Sequence, residues 1–197
     1  MVEQIKLNVP MSPGDVLSLK AGDMVLLNGK IITGRDKVHK YLIENKPRKE
    51  DMPFDLSGIV LYHCGPIMKK INSGYRVISA GPTTSMRVEM YEASVIKQYN
   101  IKGIMGKGGM GKKTLDALKE NACVYFHTIG GAAVYLADRI KNVVDVWKLD
   151  EFGPTEAMWL FEVEGFPAIV TMDAHGNDIH VEIERESFKK FSELIGK

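Results

Sequence analysis

Residues 59–147 alternate between short apolar runs and helix-type segments, and this alternation constrains the fold more than any other feature. The runs at 59–64, 101–105 and 123–127 are rich in β-branched or aromatic residues and are typical of buried strands. Helix-type segments lie between them. Such an alternation predicts an α/β domain with a largely parallel central sheet. No linker divides the chain, so we expect a single domain over residues 1–197.

The N-terminal part of the chain is predicted to add a hairpin to this core. Residues 5–9 alternate apolar and polar side chains like a half-buried strand, and 16–19 are predicted as another short strand. Apolar runs at 24–27 and 30–33 flank Asn28-Gly29. This dipeptide is a strong hairpin signal because both central residues of the tight turn need positive φ.

A second hairpin is predicted near the C terminus. Strand-like residues at 166–173 and 179–183 flank a four-residue loop that contains Gly176. Residues 188–195 are predicted to form a closing helix. Both ends of the chain would thus add hairpins to the α/β core.

Charge and hydropathy exclude several classes of partner. The formal net charge of the 197 residues is +1, which gives no general attraction for nucleic acid or anionic membranes. No apolar run is long enough to span a bilayer, and the first residues contain no apolar signal core. We therefore expect a cytoplasmic protein that binds neither nucleic acid nor a membrane.

The chain has 2 cysteines, Cys64 and Cys123, which lie far apart in strand-like runs. Both are predicted to be buried free thiols. Two cysteines are too few to hold an iron–sulfur cluster or a structural zinc ion. No metal site is therefore predicted on this chain, and any cluster would need ligands from another chain. His63, which precedes Cys64, is predicted to be a satisfied core histidine.

Three consecutive hydroxyl residues come just before the helix predicted at 86–99, soon after a run at 75–79 that is predicted to be a buried strand. Thr83 lies four positions and Thr84 three positions before Arg87, so these side chains can share a helix face. Hydroxyls, free N–H groups at a helix start and a guanidinium together suit a carboxylate or phosphate. The alternative is that one threonine is only an N-cap and the arginine only a surface residue.

Arg35 and Lys107 also follow predicted strands. Ligands of open α/β sheets bind beyond the carboxyl ends of the strands, so this shared placement favours an anion site that includes both residues. The loop at 106–111 approaches the spacing of a phosphate-binding P-loop. However, Lys113 stands where a serine or threonine would hold magnesium, so a carboxylate clamp by Lys107 is the preferred interpretation.

Four motifs together resemble one known family. They are Gly-Arg-Asp-x-x-His at 34–39, Gly-Pro-Thr-Thr-Ser-x-Arg at 81–87, Gly-Lys-Gly-Gly-Met at 106–110 and Glu-Phe-Gly-x-x-Glu-Ala-x-Trp at 151–159. In this order they resemble the β subunit, or C-terminal domain, of class I iron–sulfur-dependent fumarate hydratases and L(+)-tartrate dehydratases. The resemblance covers nearly the whole chain.

This resemblance implies a swivelling β/β/α domain in a hydro-lyase that reversibly dehydrates malate to fumarate. A separate α subunit would hold the 4Fe–4S cluster, and this chain would be active only with that subunit. The assembly would be a hetero-oligomer or contain a homodimer of β chains. L(+)-tartrate dehydratase is the close alternative, and a stand-alone module that binds a dicarboxylate or another anion is the alternative from a different class.

The resemblance also implies roles for five residues. Arg35, Arg87 and Lys107 would hold the carboxylates of a small dicarboxylate substrate. Thr83 or Thr84 would lie near the carbon that loses its proton, and Thr83 is the preferred base. A threonine hydroxyl needs neighbouring cations to act as a base. The general acid would come from the α subunit.

Overall fold

The computed structural model describes residues 4–72 and 74–196. This part of the chain contains nine strands, seven α-helices and two short 3-10 helices, Lys49–Asp51 and Ser85–Val88. The strands are β1 (Gln4–Val9), β2 (Met24–Thr33), β3 (Val60–Tyr62), β4 (Ile67–Ile71), β5 (Gly74–Ser79), β6 (Gly103–Gly106), β7 (Val124–His127), β8 (Ile140–Trp147) and β9 (Met158–Met172). The helices are α1 (Pro13–Ser18), α2 (Asp36–Asn45), α3 (Glu89–Tyr99), α4 (Lys112–Glu120), α5 (Ala133–Ala137), α6 (Leu149–Phe152) and α7 (Ile179–Leu194).

Seven of the strands form one mixed sheet in the order β1-β2-β3-β6-β7-β9-β8. The pairs from β1 to β7 are parallel, whereas β9 is antiparallel to β7 and β8. Within residues 59–147, the sheet is thus parallel at the three predicted runs 59–64, 101–105 and 123–127, whereas β8 is antiparallel to β9. It becomes antiparallel where the C-terminal part of the chain joins it.

The 15-residue β9 also closes the sheet on itself. One edge of β9 pairs with β2, and its other edge pairs with β8 and then with β7. Strands β2, β3, β6, β7 and β9 therefore form a continuous circuit. Aromatic side chains from several of these strands are fully buried, namely Tyr62, Tyr125, Phe126, Trp159, Phe161 and Phe166. Their burial contributes roughly 1.5–3 kcal/mol for each large apolar side chain.

The hairpin predicted at Asn28-Gly29 is wrong. Residues 24–33 form the single strand β2, because β9 pairs with it on both sides of this dipeptide. Gly29 has φ +102 at an irregularity in the ladder, and a Cβ there would collide with the Val9 carbonyl oxygen. The Asn28 side chain accepts a hydrogen bond from the Gly165 N–H at 2.9 Å. Long-range pairing thus uses the turn-forming residues as a bulge.

Two further strand predictions are wrong, because side chains cap helices there. Residues 16–19 lie largely in α1, where Ser12 and Asp15 form a reciprocal capping box. Residues 179–183 begin α7, where the Asp178 carboxylate accepts hydrogen bonds from the N–H groups of His180 and Val181. The closing helix predicted at 188–195 is therefore the second half of a longer helix.

The strand predicted at 75–79 forms, but its burial was predicted wrongly. It is β5, which pairs antiparallel with β4 in a separate two-stranded sheet. Within this strand only Val77 is buried, since the hairpin lies outside the main sheet. No helix in the described part of the chain is long and apolar enough to cross a membrane.

Candidate functional site

The candidate site lies at the carboxyl ends of β3 and β6. There, residues 82–85 pair with the residues that follow both strands. Pro82 pairs with Cys64, which follows β3, and Thr84 pairs with Lys107, which follows β6. The Thr83 N–H donates to the His63 carbonyl at 2.7 Å, and the Ser85 N–H donates to the Lys107 carbonyl at 3.0 Å. This backbone ladder fixes the hydroxyl residues at the carboxyl edge of the parallel strands, as the sequence predicts.

The two threonine side chains remain available at this edge. Thr84 occupies the N-cap position of the short 3-10 helix Ser85–Val88, but its hydroxyl makes no capping hydrogen bond. Thr83 is half-buried and Thr84 is exposed. A role limited to capping therefore does not describe Thr84, whose hydroxyl is open to a ligand.

Arg35 and Arg87 converge on one carboxylate. Arg35 stands at the N-cap of α2, and its Nη2 lies 4.0 Å from Asp36 Oδ2. Arg87 donates from Nη2 to the same Asp36 oxygen at 2.8 Å. The backbone N–H of Arg87 also bonds to the Thr84 carbonyl at 3.4 Å, so this arginine is tied to the hydroxyl segment.

The motif at 151–159 holds Arg35 from the other side. Glu156 Oε1 forms an ion pair with Arg35 at 3.2 Å from Nε, although this N–H is poorly aligned with the oxygen, and Glu156 Oε2 accepts from the Lys37 N–H at 3.1 Å. A Cβ on Gly65 would lie 2.5 Å from Arg35 Nη1 and 2.7 Å from the Thr155 carbonyl. Gly65 therefore leaves room for the guanidinium, and Glu156 orients it.

Lys107 is half-buried beside the glycine-rich loop, and the helix that follows this loop is already capped by a carboxylate. Glu89 Oε2 accepts from the Gly111 N–H at 2.9 Å and from the Thr114 hydroxyl at 2.7 Å. Its other oxygen accepts from the Thr114 N–H at 3.3 Å. These groups would otherwise attract a phosphate, so the Glu89 cap argues against a P-loop here.

The structure thus places all five predicted site residues at one edge of the sheet. Backbone pairing places Thr84 beside Lys107, Thr83 is bonded to His63 in the adjacent position, and Asp36 joins the two arginines. The arrangement offers two uncharged hydroxyls among three cationic side chains. Such a set is suited to an anion with a polar centre, such as a hydroxylated dicarboxylate.

Sequence reasoning missed a buried cluster beneath this edge. His39 Nε2 and His63 Nε2 lie 3.1 Å and 3.0 Å from the same oxygen of Glu92. All three side chains are buried, and their ligand atoms lie within 4.8 Å of one another. The burial of His63 agrees with the predicted core histidine. No local sequence pattern marked this cluster, because its three members lie on separate segments of the chain.

Within the cluster, the charges of neighbouring groups shift the pKa values of Glu92 and His39 in the direction opposite to the effect of burial. Burial alone would raise the pKa of the Glu92 carboxyl, but the two histidines outweigh it and lower this pKa to about 2. Burial also acts to lower the pKa of His39, yet the Glu92 charge and hydrogen bond leave it raised. For His63, burial dominates and lowers the pKa.

The cysteines are not suited to metal binding. Cys64 and Cys123 are both free and buried. Burial raises the pKa of each thiol, so both remain protonated. An iron–sulfur cluster needs several thiolates, and the 2 cysteines of this chain do not fit that requirement.

Comparison with known proteins relates this chain to one family. The family model described as Fumarase C-terminus matches residues 1–183. "Putative fumarate hydratase class I" of Geobacillus stearothermophilus is 50% identical over 191 residues, which cover 96% of this chain and 36% of that protein. "Putative L(+)-tartrate dehydratase subunit beta" of Methanocaldococcus jannaschii is 48% identical over 92% of this chain and 94% of that protein.

A third relative is the "L(+)-tartrate dehydratase subunit beta" of Escherichia coli, which is 36% identical over 89% of this chain and 86% of that protein. The chain therefore spans about a third of the first relative, at 36%, and most of the other two. These matches confirm the resemblance that the four motifs indicate. The chain belongs to the fumarase C-terminus family.

Proposed function

We propose that this chain is the β subunit of an iron–sulfur-dependent hydro-lyase that reversibly dehydrates malate to fumarate. The observation that carries the proposal is the placement of two threonines and three cationic side chains at one sheet edge. The family and the names of the relatives support it. In this proposal residues 1–197 form a single domain of the swivelling β/β/α type.

The cationic side chains bind the substrate in this proposal. Malate carries two carboxylates, and a productive geometry requires that both ends are held. Arg35 is already oriented by Glu156, so it is suited to hold one carboxylate in a fixed position. Arg87 is exposed and bonded to Asp36, so a substrate carboxylate would compete with Asp36 for it. Lys107 would bind the same or the second carboxylate as a point charge.

The hydroxyls take part in proton transfer. Dehydration breaks the C–H bond beside one carboxylate and the C–O bond on the neighbouring carbon. Thr83 or Thr84 would accept the proton from carbon, with Thr83 preferred, and the leaving hydroxyl would depart as water after protonation by the partner. Negative charge builds up on the carboxylate during this step, and cations held nearby stabilise it.

The partner is a cluster-bearing α subunit. Because this chain's cysteines do not fit a cluster, the 4Fe–4S group would be held entirely by that subunit. The active site would then form between the two chains, and this chain alone would be inactive. The assembly would be a hetero-oligomer or contain a homodimer of β chains, located in the cytoplasm.

Tartrate dehydration is the second candidate function. Two of the relatives described above are named as L(+)-tartrate dehydratase β subunits and match most of their own length. Tartrate differs from malate by one hydroxyl, so the same clamps and base would serve both substrates. Only the substrate would change, while the fold, site and partner would stay the same.

An activity assay with separate and mixed subunits tests the proposal. This chain and a cluster-bearing α subunit are assayed anaerobically, alone and together, on malate and on L(+)-tartrate. We expect turnover of malate only in the mixture. Turnover of tartrate instead would establish the second candidate. A stable complex with an intact cluster but no turnover of either substrate would contradict both and favour a dicarboxylate-binding module.

A further inference from the structure

A chain of hydrogen bonds runs through the buried interior beneath the candidate site. At one end, His39 Nδ1 lies 2.8 Å from the Arg35 carbonyl oxygen, and His39 Nε2 lies 3.1 Å from Glu92 Oε2. A carbonyl oxygen only accepts, so Nδ1 of His39 must carry a proton. A second proton on Nε2 would make His39 an imidazolium.

The other end of the chain reaches a tyrosine on β7. His63 Nδ1 lies 2.9 Å from Ser85 Oγ, and Ser85 Oγ lies 2.8 Å from the Tyr125 hydroxyl. His63 Nε2 lies 3.0 Å from Glu92 Oε2, although its N–H is poorly aligned with that oxygen. The second oxygen of Glu92 has no partner among the described residues. The Glu92 carboxylate thus depends on the two imidazoles for stabilisation of its negative charge.

One set of proton positions satisfies these contacts. If Glu92 is ionised, each Nε2 near its oxygen carries a proton, and the doubly protonated His39 is an imidazolium. His63 is then neutral with a free Nδ1, which must accept from the Ser85 hydroxyl. Ser85 in turn accepts a hydrogen bond from the Tyr125 hydroxyl. Each donor in this arrangement has an acceptor within 3.1 Å, although the His63 Nε2–H is poorly aligned with the Glu92 oxygen.

We propose that these side chains form one oriented hydrogen-bond network, with a single ion pair between His39 and Glu92, that positions the three substrate-binding segments relative to one another. Its members are positioning residues. None of them is assigned a contact with substrate.

The network ends on each segment of the site. Its His39 end holds the backbone of Arg35, and its Ser85 member directly follows Thr84. The backbone N–H of Ser85 also donates to the Lys107 carbonyl at 3.0 Å. A Cβ on Gly106 would collide with Ser85 Oγ, so the glycine permits this close packing. The network therefore spans the elements that carry the carboxylate clamps and the threonines.

The ionisable groups around the network agree with this protonation. The neighbouring charges come from Asp36 at the start of α2, and the nearby thiol of Cys123 and phenol of Tyr125 on β7 are neutral. Burial opposes charge on both members of the pair, yet the pKa of His39 is raised and that of Glu92 is lowered. Oppositely shifted partners are expected for an ion pair with no net charge.

Side-chain nitrogen NMR of the chain tests the proton positions. We expect one buried histidine, assigned by its loss in His39→Gln, to stay doubly protonated at about pH 8, where an ordinary histidine is neutral. His63 should be neutral with its proton on Nε2. In Glu92→Gln, a variant of nearly the same shape, His39 should become neutral. A neutral His39 in the unmodified chain, with the proton on Glu92, would overturn the assignment.

Metal content measured on the same sample removes one competing explanation. The two imidazoles and Glu92 have the spacing of metal ligands. We expect less than about one tenth of an equivalent of any divalent metal, far below the full occupancy of a structural site. A full equivalent that is lost in Glu92→Gln would overturn the hydrogen-bond network.

Kinetics of the mixed subunits test the positioning role, and this step alone rests on the proposed function. Ser85→Ala removes the link between His63 and Tyr125, and Tyr125→Phe serves if that variant does not fold. We expect kcat to fall about 10- to 100-fold with KM within about threefold, because small misplacements of reacting groups cost about 100-fold. Thr171→Val, which removes another buried hydroxyl, is the matched control.

The two readouts separate the possible failures. Unchanged kcat in both Ser85→Ala and Tyr125→Phe, with an active unmodified enzyme, would refute the positioning role. An equal loss of kcat in Thr171→Val would show a general packing effect and would also refute it. If the unmodified mixture is inactive, the proposed function fails, and the NMR result alone decides whether the oriented network exists.

Discussion

Replacement of Arg87 by alanine should separate activity from stability. The Arg87 side chain is 53% exposed, and its ion pair with Asp36 measures 2.8 Å. Exposed pairs of this kind contribute about 0–1 kcal/mol to the free energy of unfolding. For a protein of this size, such a loss lowers Tm by at most about 2–4 °C. The folded state should therefore tolerate Arg87→Ala.

The effect on catalysis should be much larger. A hydrogen bond between charged partners contributes about 1.5–3 kcal/mol, which corresponds to a loss of about 10- to 150-fold in kcat/KM. Steady-state assays of the mixed subunits on malate, with thermal unfolding followed by circular dichroism, measure both quantities. Lysine at position 87 should restore part of the activity, because it keeps the charge but not the bidentate geometry.

Arg48→Ala provides the matched control. Arg48 is also an exposed arginine paired with an aspartate, at 3.5 Å from Asp51, but it precedes a short 3-10 helix after α2. We expect its kcat/KM to stay within about twofold of the unmodified value, as for most surface substitutions. An Arg87→Ala enzyme with equally unchanged kcat/KM would refute the assignment of Arg87 as a carboxylate clamp.

Three further changes test other parts of the structure. Glu89→Ala removes three hydrogen bonds at the start of α4. It should lower the free energy of unfolding by about 2–4 kcal/mol, which corresponds to a decrease in Tm of about 4–16 °C. An unchanged Tm would contradict the capping role of Glu89. Cys64→Ser combined with Cys123→Ser should leave the iron absorption of the mixed subunits intact, and its loss with association preserved would show that this chain supplies ligands. Because the pKa of Glu92 is lowered to about 2, its ionised form stabilises the fold above the ordinary pKa of about 4.3, and this contribution is lost as pH falls from there toward 2. Thermal unfolding of Glu92→Gln should therefore depend less steeply on pH over this range than that of the unmodified chain, and equal slopes would contradict the ion pair.

The parallel core was predictable because its signals are local. The predicted runs at 59–64, 101–105 and 123–127 contain β3, β6 and β7, or overlap them with a shift of one residue. Each is a short apolar run bounded by glycine, proline or polar residues, and this pattern does not depend on distant parts of the chain. The site residues that follow strands were placed at the correct edge for the same reason.

The errors arose where distant residues decide the structure. Asn28-Gly29 has the composition of a tight turn, but β9, more than 120 residues later, pairs along the whole of β2. Residues 179–183 have strand-like composition, yet the Asp178 cap starts a helix. Propensity is a weak preference that tertiary pairing and capping override.

The supporting groups of the site were also hidden by sequence distance. Glu156 orients Arg35 from 121 positions away, and Glu92 joins His39 and His63 from a different helix. No local pattern marks such partners, because burial of a carboxylate becomes evident only when the elements pack. The motifs include Arg35, His39 and Glu156. The sequence therefore marked these positions, but it did not show which residues they contact.

A structure of the complex between this chain and its α subunit, with an unreactive C4 dicarboxylate bound, tests the central claim most directly. The distances to measure join the ligand carboxylates to Arg35, Arg87 and Lys107, and the ligand's central carbons to the threonine hydroxyls. We predict hydrogen bonds of about 2.7–2.9 Å from the cationic side chains to the carboxylates, with Thr83 or Thr84 facing a central carbon. A ligand held only by residues of the α subunit would contradict the claim that this sheet edge forms half of the active site.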